Sequence, residues 1–292
     1  MQTKPSSERT PRRGAEQPAI APTMSVAHPL ARLRDRYGPW AVVTGASDGI
    51  GRAMAVELAA AGLDLVLCAR RRTVLDALAL ELSSAFGVET LVVDADLSTS
   101  AGVEKLLVAT EALEVHLFIA AAGFGTSGPF LKNPLEEELA MLDLNCRAVV
   151  ELAHRFDMRM TERRRGGLVF MSSLLAFQGV SRAANYAATK AYVQSFAEGL
   201  GAELRPFGVD VIASAPGPVE SGFGTRADMR MTLAGTPESV ARETLRALGR
   251  QETVRPGFLA KALEISLSLL PRRGRVFVLS RVMAGMTQHH AA

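Results

Sequence analysis

Apolar and polar positions alternate in blocks along this chain. From Trp40 onward, short apolar runs recur, each followed by a longer stretch with apolar residues at helical spacing. Ala41-Val42-Val43, Leu65-Val66-Leu67-Cys68-Ala69, Leu91-Val92-Val93, Val115-His116-Leu117-Phe118-Ile119, Leu168-Val169-Phe170-Met171 and Val209-Asp210-Val211-Ile212-Ala213 read as six strands. Helices are predicted over Arg52 to Ala61, Thr73 to Phe86 and from about Ser100, then as one long helix over Leu135 to Glu162, and over Asn185 to Leu204. Leu75, Leu78, Leu82 and Phe86 lie on one stripe, and Gly62 and Gly87 are helix stops. Val276-Phe277-Val278-Leu279 fits a strand or a helix equally.

Strands apolar on both faces, alternating with amphipathic helices, predict a parallel sheet covered on both sides. Right-handed crossovers then give a doubly wound α/β sheet of Rossmann type. We expect a single domain over residues 36–292. Residues 1–35 are rich in Pro, Ser, Thr and Arg without an apolar period, and read as a disordered tail. Met24 is a candidate alternative start, and Glu8 and Glu16 are untypical of a transit peptide.

Composition narrows the partners. Of 292 residues, 48% are hydrophobic, enough for a sizeable core. The net charge is +3, and residues 1–36 carry seven Lys/Arg against three Asp/Glu, which leaves the remainder at about −1. The basic balance therefore lies in the tail and gives no reason to expect nucleic acid as a partner. No run reaches the about 18 apolar residues of a membrane span, and no apolar secretory segment opens the chain. Cys68, in a strand, and Cys146, at an expected helix start, read as buried free thiols, which fits a cytoplasmic protein. Phe258 to Leu270, followed by Pro271-Arg272-Arg273, is apolar with a basic flank. It is expected to pack on the domain or a neighbouring subunit, with a membrane surface as the other option.

Two segments carry chemistry. Thr44-Gly45-Ala46-Ser47-Asp48-Gly49-Ile50-Gly51 lies between a strand and a helix, the context in which a glycine turn cradles a pyrophosphate. Gly45 permits the tight turn, and Gly49 and Gly51 let backbone approach the phosphates at the helix N-terminus. After the second strand, where an acid would accept from a ribose 2′-hydroxyl, stand Ala69-Arg70-Arg71-Arg72. Guanidinium groups suit a 2′-phosphate, so NADP(H) is favoured, with Arg70 and Arg71 as contacts and Ser47 as a further donor.

The second segment is Tyr186-Ala187-Ala188-Thr189-Lys190, which puts a phenol and an amine one turn apart on a helix. A free phenol has a pKa of about 10. A nearby ammonium is expected to lower it, so that Tyr186 exchanges a proton with a carbonyl or alcohol oxygen. Ser173 ends the preceding strand, where it would hold that oxygen. No Gly-x-Ser-x-Gly elbow points to a serine nucleophile, and the histidines lack metal-ligand spacing, so no metal is expected.

Together these residues resemble the short-chain dehydrogenase/reductase superfamily, over about Trp40 to Gly224. The glycine turn matches Thr44 to Gly51, and the catalytic set matches Ser173, Tyr186 and Lys190. Asn145 matches the fourth member, which in the family helps hold a water linking the lysine to solvent. The resemblance implies that Asp96, with Leu97 beside it, meets adenine. It implies that Lys190 binds the nicotinamide ribose, and that Pro216, Gly217, Val219 and Ser221 fix the carboxamide. The family's Asn-Asn-Ala-Gly is Ala120-Ala121-Ala122-Gly123 here, which keeps Gly123 for backbone approach and loses two amides that support the sheet. Substrate choice would lie in the loop from Gly222 to about Thr236, whose Phe223, Met229, Met231 and Leu233 suit an apolar lid or a packed helix.

The expected function is NADP(H)-dependent interconversion of a carbonyl and a secondary alcohol, on a hydrophobic ketone or ketoacyl substrate. The long helices imply a homodimer or homotetramer by the same resemblance. The alternatives are a catalytically silent nucleotide-sensing or scaffold protein, and an epimerase or dehydratase on the same fold.

Overall fold

The computed structural model describes Leu30 and residues 32–229 and 234–288. Seven strands, β1 (Trp40–Thr44), β2 (Asp64–Ala69), β3 (Thr90–Asp94), β4 (Val115–Ala120), β5 (Gly166–Met171), β6 (Val209–Ser214) and β7 (Thr253–Val254), form one sheet. Their order is β3-β2-β1-β4-β5-β6-β7 and every pair is parallel. The strand order reverses between β1 and β4, which is where an open α/β sheet leaves a crevice for a ligand.

Burial follows the two-residue period of the strands. Val43, Leu65, Leu67, Leu117 and Ile119 face one core with α1 (Arg32–Tyr37), α2 (Gly49–Ala60), α3 (Arg72–Phe86) and α9 (Pro237–Ala247). Val42, Val66, Cys68, Phe118 and Phe170 face the other, with α4 (Ser100–Ala109), α6 (Ala148–Glu162) and α7 (Ala184–Leu204). This is the doubly wound, Rossmann-type sheet that the apolar runs predict. A third apolar cluster joins Phe124, Met141 and Tyr186 to Leu267, Leu279 and Met283 of α10 (Phe258–Ser268) and α11 (Arg272–Met286). The apolar segment from Phe258 thus packs one face on the domain, beside the candidate site.

Several element bounds differ from those expected. The tail of residues 1–35 ends too late, because Arg32–Tyr37 is helical and Leu30, Leu33 and Tyr37 are fully buried. Arg32 donates to the carbonyls of Leu245, Arg246 and Leu248, Arg165 donates to those of Asp35 and Arg36, and Tyr37 Oη donates to Asp210 Oδ2 at 2.7 Å. A six-residue helix is too short to show a period. The remaining tail residues, 1–29 and 31, lie outside the described residues, as do Met231 and Leu233 of the expected lid.

Helix α2 begins at Gly49 rather than Arg52, because Asp48 caps it: its Oδ1 accepts from Gly49 N at 2.7 Å. The long helix from Leu135 to Glu162 is interrupted. α5 (Leu135–Leu142) passes into α6 through a π-helical turn at Asp143–Arg147. A π-helical turn takes up one extra residue and so re-aims the side chains inside it. Cys146 accordingly sits within this turn and is only half-buried, not at a helix start. Finally, Val276 to Leu279 is helical, and the seventh strand is the two-residue β7, which is too short to announce itself.

If α1 belongs to the domain, Leu33→Ala should destabilise it by about 2–5 kcal/mol, read by urea unfolding. An unchanged midpoint would make the helix peripheral.

Candidate active site

The site forms along the C-terminal ends of β1, β4, β5 and β6. Thr44, the last residue of β1, ties the first two together. Its hydroxyl donates to Ile119 O (3.1 Å) and accepts from Ala121 N and Ala122 N (3.1 Å each). One buried hydroxyl thus holds the segment where the two family amides are missing.

The glycine turn follows directly. Gly45 has φ +69° and Gly49 has φ +51°, both in the left-handed region. A Cβ on Gly45 would come within 2.8 Å of Ala122 N, and one on Gly51 would collide with the Gly45 carbonyl. The turn therefore packs closely on the segment after β4 and leads into the N-terminus of α2, a cradle suited to a pyrophosphate. Ile50 turns into the core of the α2 side, so its backbone alone belongs to the turn. Asp48 has both carboxylate oxygens on backbone N–H groups, Oδ1 on Gly49 and Oδ2 on Gly222 (3.0 Å).

The three arginines after β2 separate. Arg71 donates to Ser47 O (3.1 Å) and Ser47 Oγ (3.0 Å), folding over the glycine turn. Arg72 pairs with Asp76 at 2.8 Å and lies 3.7 Å from Asp94. Arg70 is exposed and, among the described residues, makes no ion pair with a carboxylate. Beyond β3, Asp96 is also exposed. Burial raises its pKa, but hydrogen bonds from the Ser98 hydroxyl and N–H, with the Arg70 and Arg226 charges, leave it below the usual carboxylate value. Leu97 turns its side chain into the core of the α4 side.

Tyr186 and Lys190 project from α7 toward Ser173. All three are nearly buried, at 8%, 7% and 8% exposure. Ser173 caps the short 3-10 turn after β5, accepting from Leu175 N at 3.2 Å, and its hydroxyl engages the Tyr186 phenol. Lys190 Nζ donates to Met171 O at 2.7 Å and lies 5.8 Å from the centre of the Tyr186 ring. A Cβ on Gly123 would stand 3.0 Å from Asn145 Oδ1 and 3.5 Å from Lys190 Nζ, so that glycine keeps the floor beside them open. Phe223 packs on Tyr186 at 5.3 Å between ring centres.

Asn145 reaches this floor from the π-helical turn. Its Oδ1 accepts from Phe124 N (3.1 Å), and its Nδ2 donates to Phe124 O (2.9 Å) and Thr189 Oγ1 (3.1 Å). Thr189 Oγ1 in turn donates to Tyr186 O (2.8 Å). The side chain is thus fully committed to fixing the loop after β4 and the helix that carries Tyr186.

The expected lowering of the phenol pKa is not found. Burial pushes Tyr186 up to about 12, against the pull of the Ser173 hydrogen bond. Burial also pushes Lys190 down to about 8, with the neighbouring Cys146 opposing it. Both groups are cut off from water, and the amine is turned onto a backbone carbonyl, so desolvation sets the direction of both shifts.

Beyond β6, Pro216 O accepts from Leu174 N (3.0 Å), which holds this turn against the Ser173 segment. A Cβ on Gly217 would make ordinary contact with Ala260 of α10. Val219 bridges to Gly235, and Ser221 caps α8 (Gly222–Arg226), its Oγ accepting from Phe223 N at 3.4 Å.

Sequence reasoning passed over several supporting residues. Thr44 and Thr189 stood inside motifs, but their hydroxyl bonds depend on tertiary approach. Glu138 is buried and accepts from Thr126 Oγ1 (2.7 Å), Asn133 Nδ2 (2.8 Å) and Asn185 Nδ2 (2.6 Å), locking the residue before Tyr186 to α5. Nothing distinguishes it in sequence from the adjacent Glu136 and Glu137, which stay exposed.

A glycine cradle at the strand-order reversal, beside a buried Ser-Tyr-Lys cluster, is the architecture of a dinucleotide-dependent oxidoreductase. The chain belongs to the short-chain dehydrogenase family, whose family model, described as short chain dehydrogenase, matches residues 39–231. It is 29% identical over 238 residues to a 7beta-hydroxysteroid dehydrogenase of Collinsella aerofaciens, covering 77% of this chain and 88% of that one. It is 33% identical over 223 residues to a very-long-chain 3-oxoacyl-CoA reductase of Phaeosphaeria nodorum, covering 73% of this chain and 64% of that one. A short-chain dehydrogenase from Sphingobium yanoikuyae, solved in complex with NADPH, superposes with a TM-score of 0.73 at 28% identity, over 80% of this chain and 97% of that one. Among the described residues, no helix is long and apolar enough to cross a membrane.

Replacing the Thr44 hydroxyl by a methyl in Thr44→Val strands two backbone N–H groups. Each unmet group costs about 1–3 kcal/mol. Equilibrium unfolding should register a loss of that order, and wild-type stability would show that the hydroxyl bonds carry no weight.

Proposed function

We propose that this protein is an NADP(H)-dependent oxidoreductase that interconverts a carbonyl and a secondary alcohol on a hydrophobic substrate. The observation that carries this reading is the buried cluster of Ser173, Tyr186 and Lys190 beside the glycine cradle. A bound NADPH would supply the hydride to the carbonyl carbon. Tyr186 donates its proton to the carbonyl oxygen, which Ser173 Oγ holds in place. A phenol that keeps its proton through neutral pH is suited to act as the acid in the reducing direction. Lys190, protonated below about 8, stabilises the phenolate left behind and would hold the nicotinamide ribose. Asn145 fixes the backbone on which that arrangement stands.

The dinucleotide would lie along the glycine turn from Gly45 to Gly51, with Ser47 and Arg71 at its rim. Arg70, which has no acidic partner in contact among the described residues, suits the 2′-phosphate and favours NADP(H) over NAD(H). Asp96 and the backbone at Leu97 would flank the adenine, and Gly123, Pro216, Gly217, Val219 and Ser221 would flank the nicotinamide. The apolar cluster around Tyr186, with Phe124, Phe223 and Leu267, supports a bulky apolar carbonyl compound of the steroid or long 3-oxoacyl kind. A second copy of the chain is proposed to pack on the groove between α6 and α7, where Leu142, Val150 and Tyr192 line a depression.

Tyr186→Phe should lower the rate of NADPH oxidation with hydrophobic ketones, steroid ketones or 3-oxoacyl thioesters by roughly 100- to 10,000-fold. NADPH affinity, measured by calorimetry, should stay nearly unchanged. Wild-type turnover in this variant would overturn the acid–base assignment, and a clear preference for NADH would overturn the reading of Arg70.

A further inference from the structure

α8 lies across the mouth of the cleft and is fastened at both ends. At its start, Gly222 N donates to Asp48 Oδ2 at 3.0 Å. The fit there is close, since a Cβ on Gly49 would come 2.8 Å from the Cβ of Ser221. At its end, Ser127 Oγ donates to the carbonyls of Ala227 (2.6 Å) and Asp228 (3.3 Å). The helix therefore bridges the glycine turn and the loop after β4. Its last residue, Arg226, is carried over the space between them.

Arg226 stacks on Phe124, with its guanidinium carbon 3.9 Å from the ring centre. That ring is a fixed platform, because Asn145 holds both the N–H and the carbonyl of Phe124. The charges facing Arg226 come from three elements: Arg70 after β2, Asp96 after β3 and Glu137 on α5. Neither acid is in salt-bridge contact with it, and none among the described residues contacts Arg70. Asp96 Oδ1 is already taken by the N–H and hydroxyl of Ser98, at 3.0 and 2.7 Å. Arg71 closes the other side, bonded among the described residues to the uncharged oxygens of Ser47. Burial and the Arg70 charge both weaken the hold of Arg226 on its proton. Guanidinium groups from two segments, Arg70 and Arg71 after β2 and Arg226 on α8, thus border one cleft, and among the described residues no carboxylate forms a salt bridge with any of them. An anion placed among them would relieve that repulsion and accept their unused N–H groups.

We propose that Arg226 is a phosphate-binding residue of the dinucleotide site, acting from α8 across the cleft from Arg70 and Arg71. This inference rests on the dinucleotide reading given above. It adds that the substrate loop itself contributes to holding the nucleotide. The phosphate is either the pyrophosphate or the 2′-phosphate, and both are recognised by the same planar fork.

The test is calorimetric titration of the full-length protein and of Arg226→Ala, Arg226→Gln and Arg226→Lys with NADPH, NADH, 2′,5′-ADP and ADP. Glutamine keeps much of the side chain's bulk without its charge, so it separates loss of packing from loss of the cation. Losing a charge-assisted hydrogen bond should weaken NADPH by roughly 10- to 100-fold in the Ala and Gln variants, and less in Lys. A loss shared by NADPH, NADH and ADP assigns the contact to the pyrophosphate. A loss confined to NADPH and 2′,5′-ADP assigns it to the 2′-phosphate. Affinities within about twofold of wild type for all four ligands, in both Ala and Gln variants, would overturn the proposal while leaving the dinucleotide reading intact. Wild-type protein that binds none of the four would overturn both.

Discussion

Tyr186 and Lys190 stand one helical turn apart on α7, and both have been stripped of water. In that setting a phenol resists losing its proton and an amine resists keeping one. Burial drives the two groups apart, to about 12 and about 8, from values that in water differ little. The pair is then poised between two states that differ by one proton, with Ser173 at the phenol and a main-chain carbonyl at the amine. The chemistry assigned to the site depends on this desolvation, and much of the nearby structure maintains it. Phe223 covers the phenol, Gly123 keeps side chains off the floor, and α10 and α11 bring Leu267 and Met283 into the surrounding cluster.

Keeping two ionisable groups dry requires the surrounding backbone to be satisfied without water. Single side chains do this at the crest of the sheet. Thr44 serves three backbone groups between β1 and β4. Asn145 serves both backbone groups of Phe124, from a π-helical turn that aims it inward. Glu138 gathers three donors around the start of α7. Each links a loop at the crest to a helix or strand, so the positions of Tyr186 and Lys190 are set by several elements rather than by α7 alone. α8 adds a tie of another kind, from Asp48 on the glycine turn to Ser127 beyond β4, so that the dinucleotide cleft and the substrate loop share one boundary.

What the sequence disclosed, and what it withheld, follows from the range of the interactions concerned. The six longer strands were legible because burial on both faces leaves unbroken apolar runs. The glycine turn and the Tyr-x-x-x-Lys pair were legible because both are local patterns fixed by backbone geometry. The π-helical turn was not, since its shifted backbone hydrogen bonds leave no mark in the residue types. α1 and β7 were missed because six and two residues are too few to display a period. The sign of the phenol's pKa shift was misjudged for a physical reason: spacing reveals a neighbouring charge but not how much water surrounds it. The same limit hid Glu138 among its exposed neighbours, and it hid Arg226, whose partners come from distant segments.

The account stands on the dryness of this pocket, and Lys190 reports on it most directly. Protein labelled with carbon-13 at the lysine ε position allows its titration to be followed by NMR, with Lys190→Arg to assign the signal. The account expects Lys190 to lose its proton near about 8, well below the ordinary 10.5. A titration at the ordinary value would mean that the amine is solvated, and that the pocket does not set the proton chemistry described here.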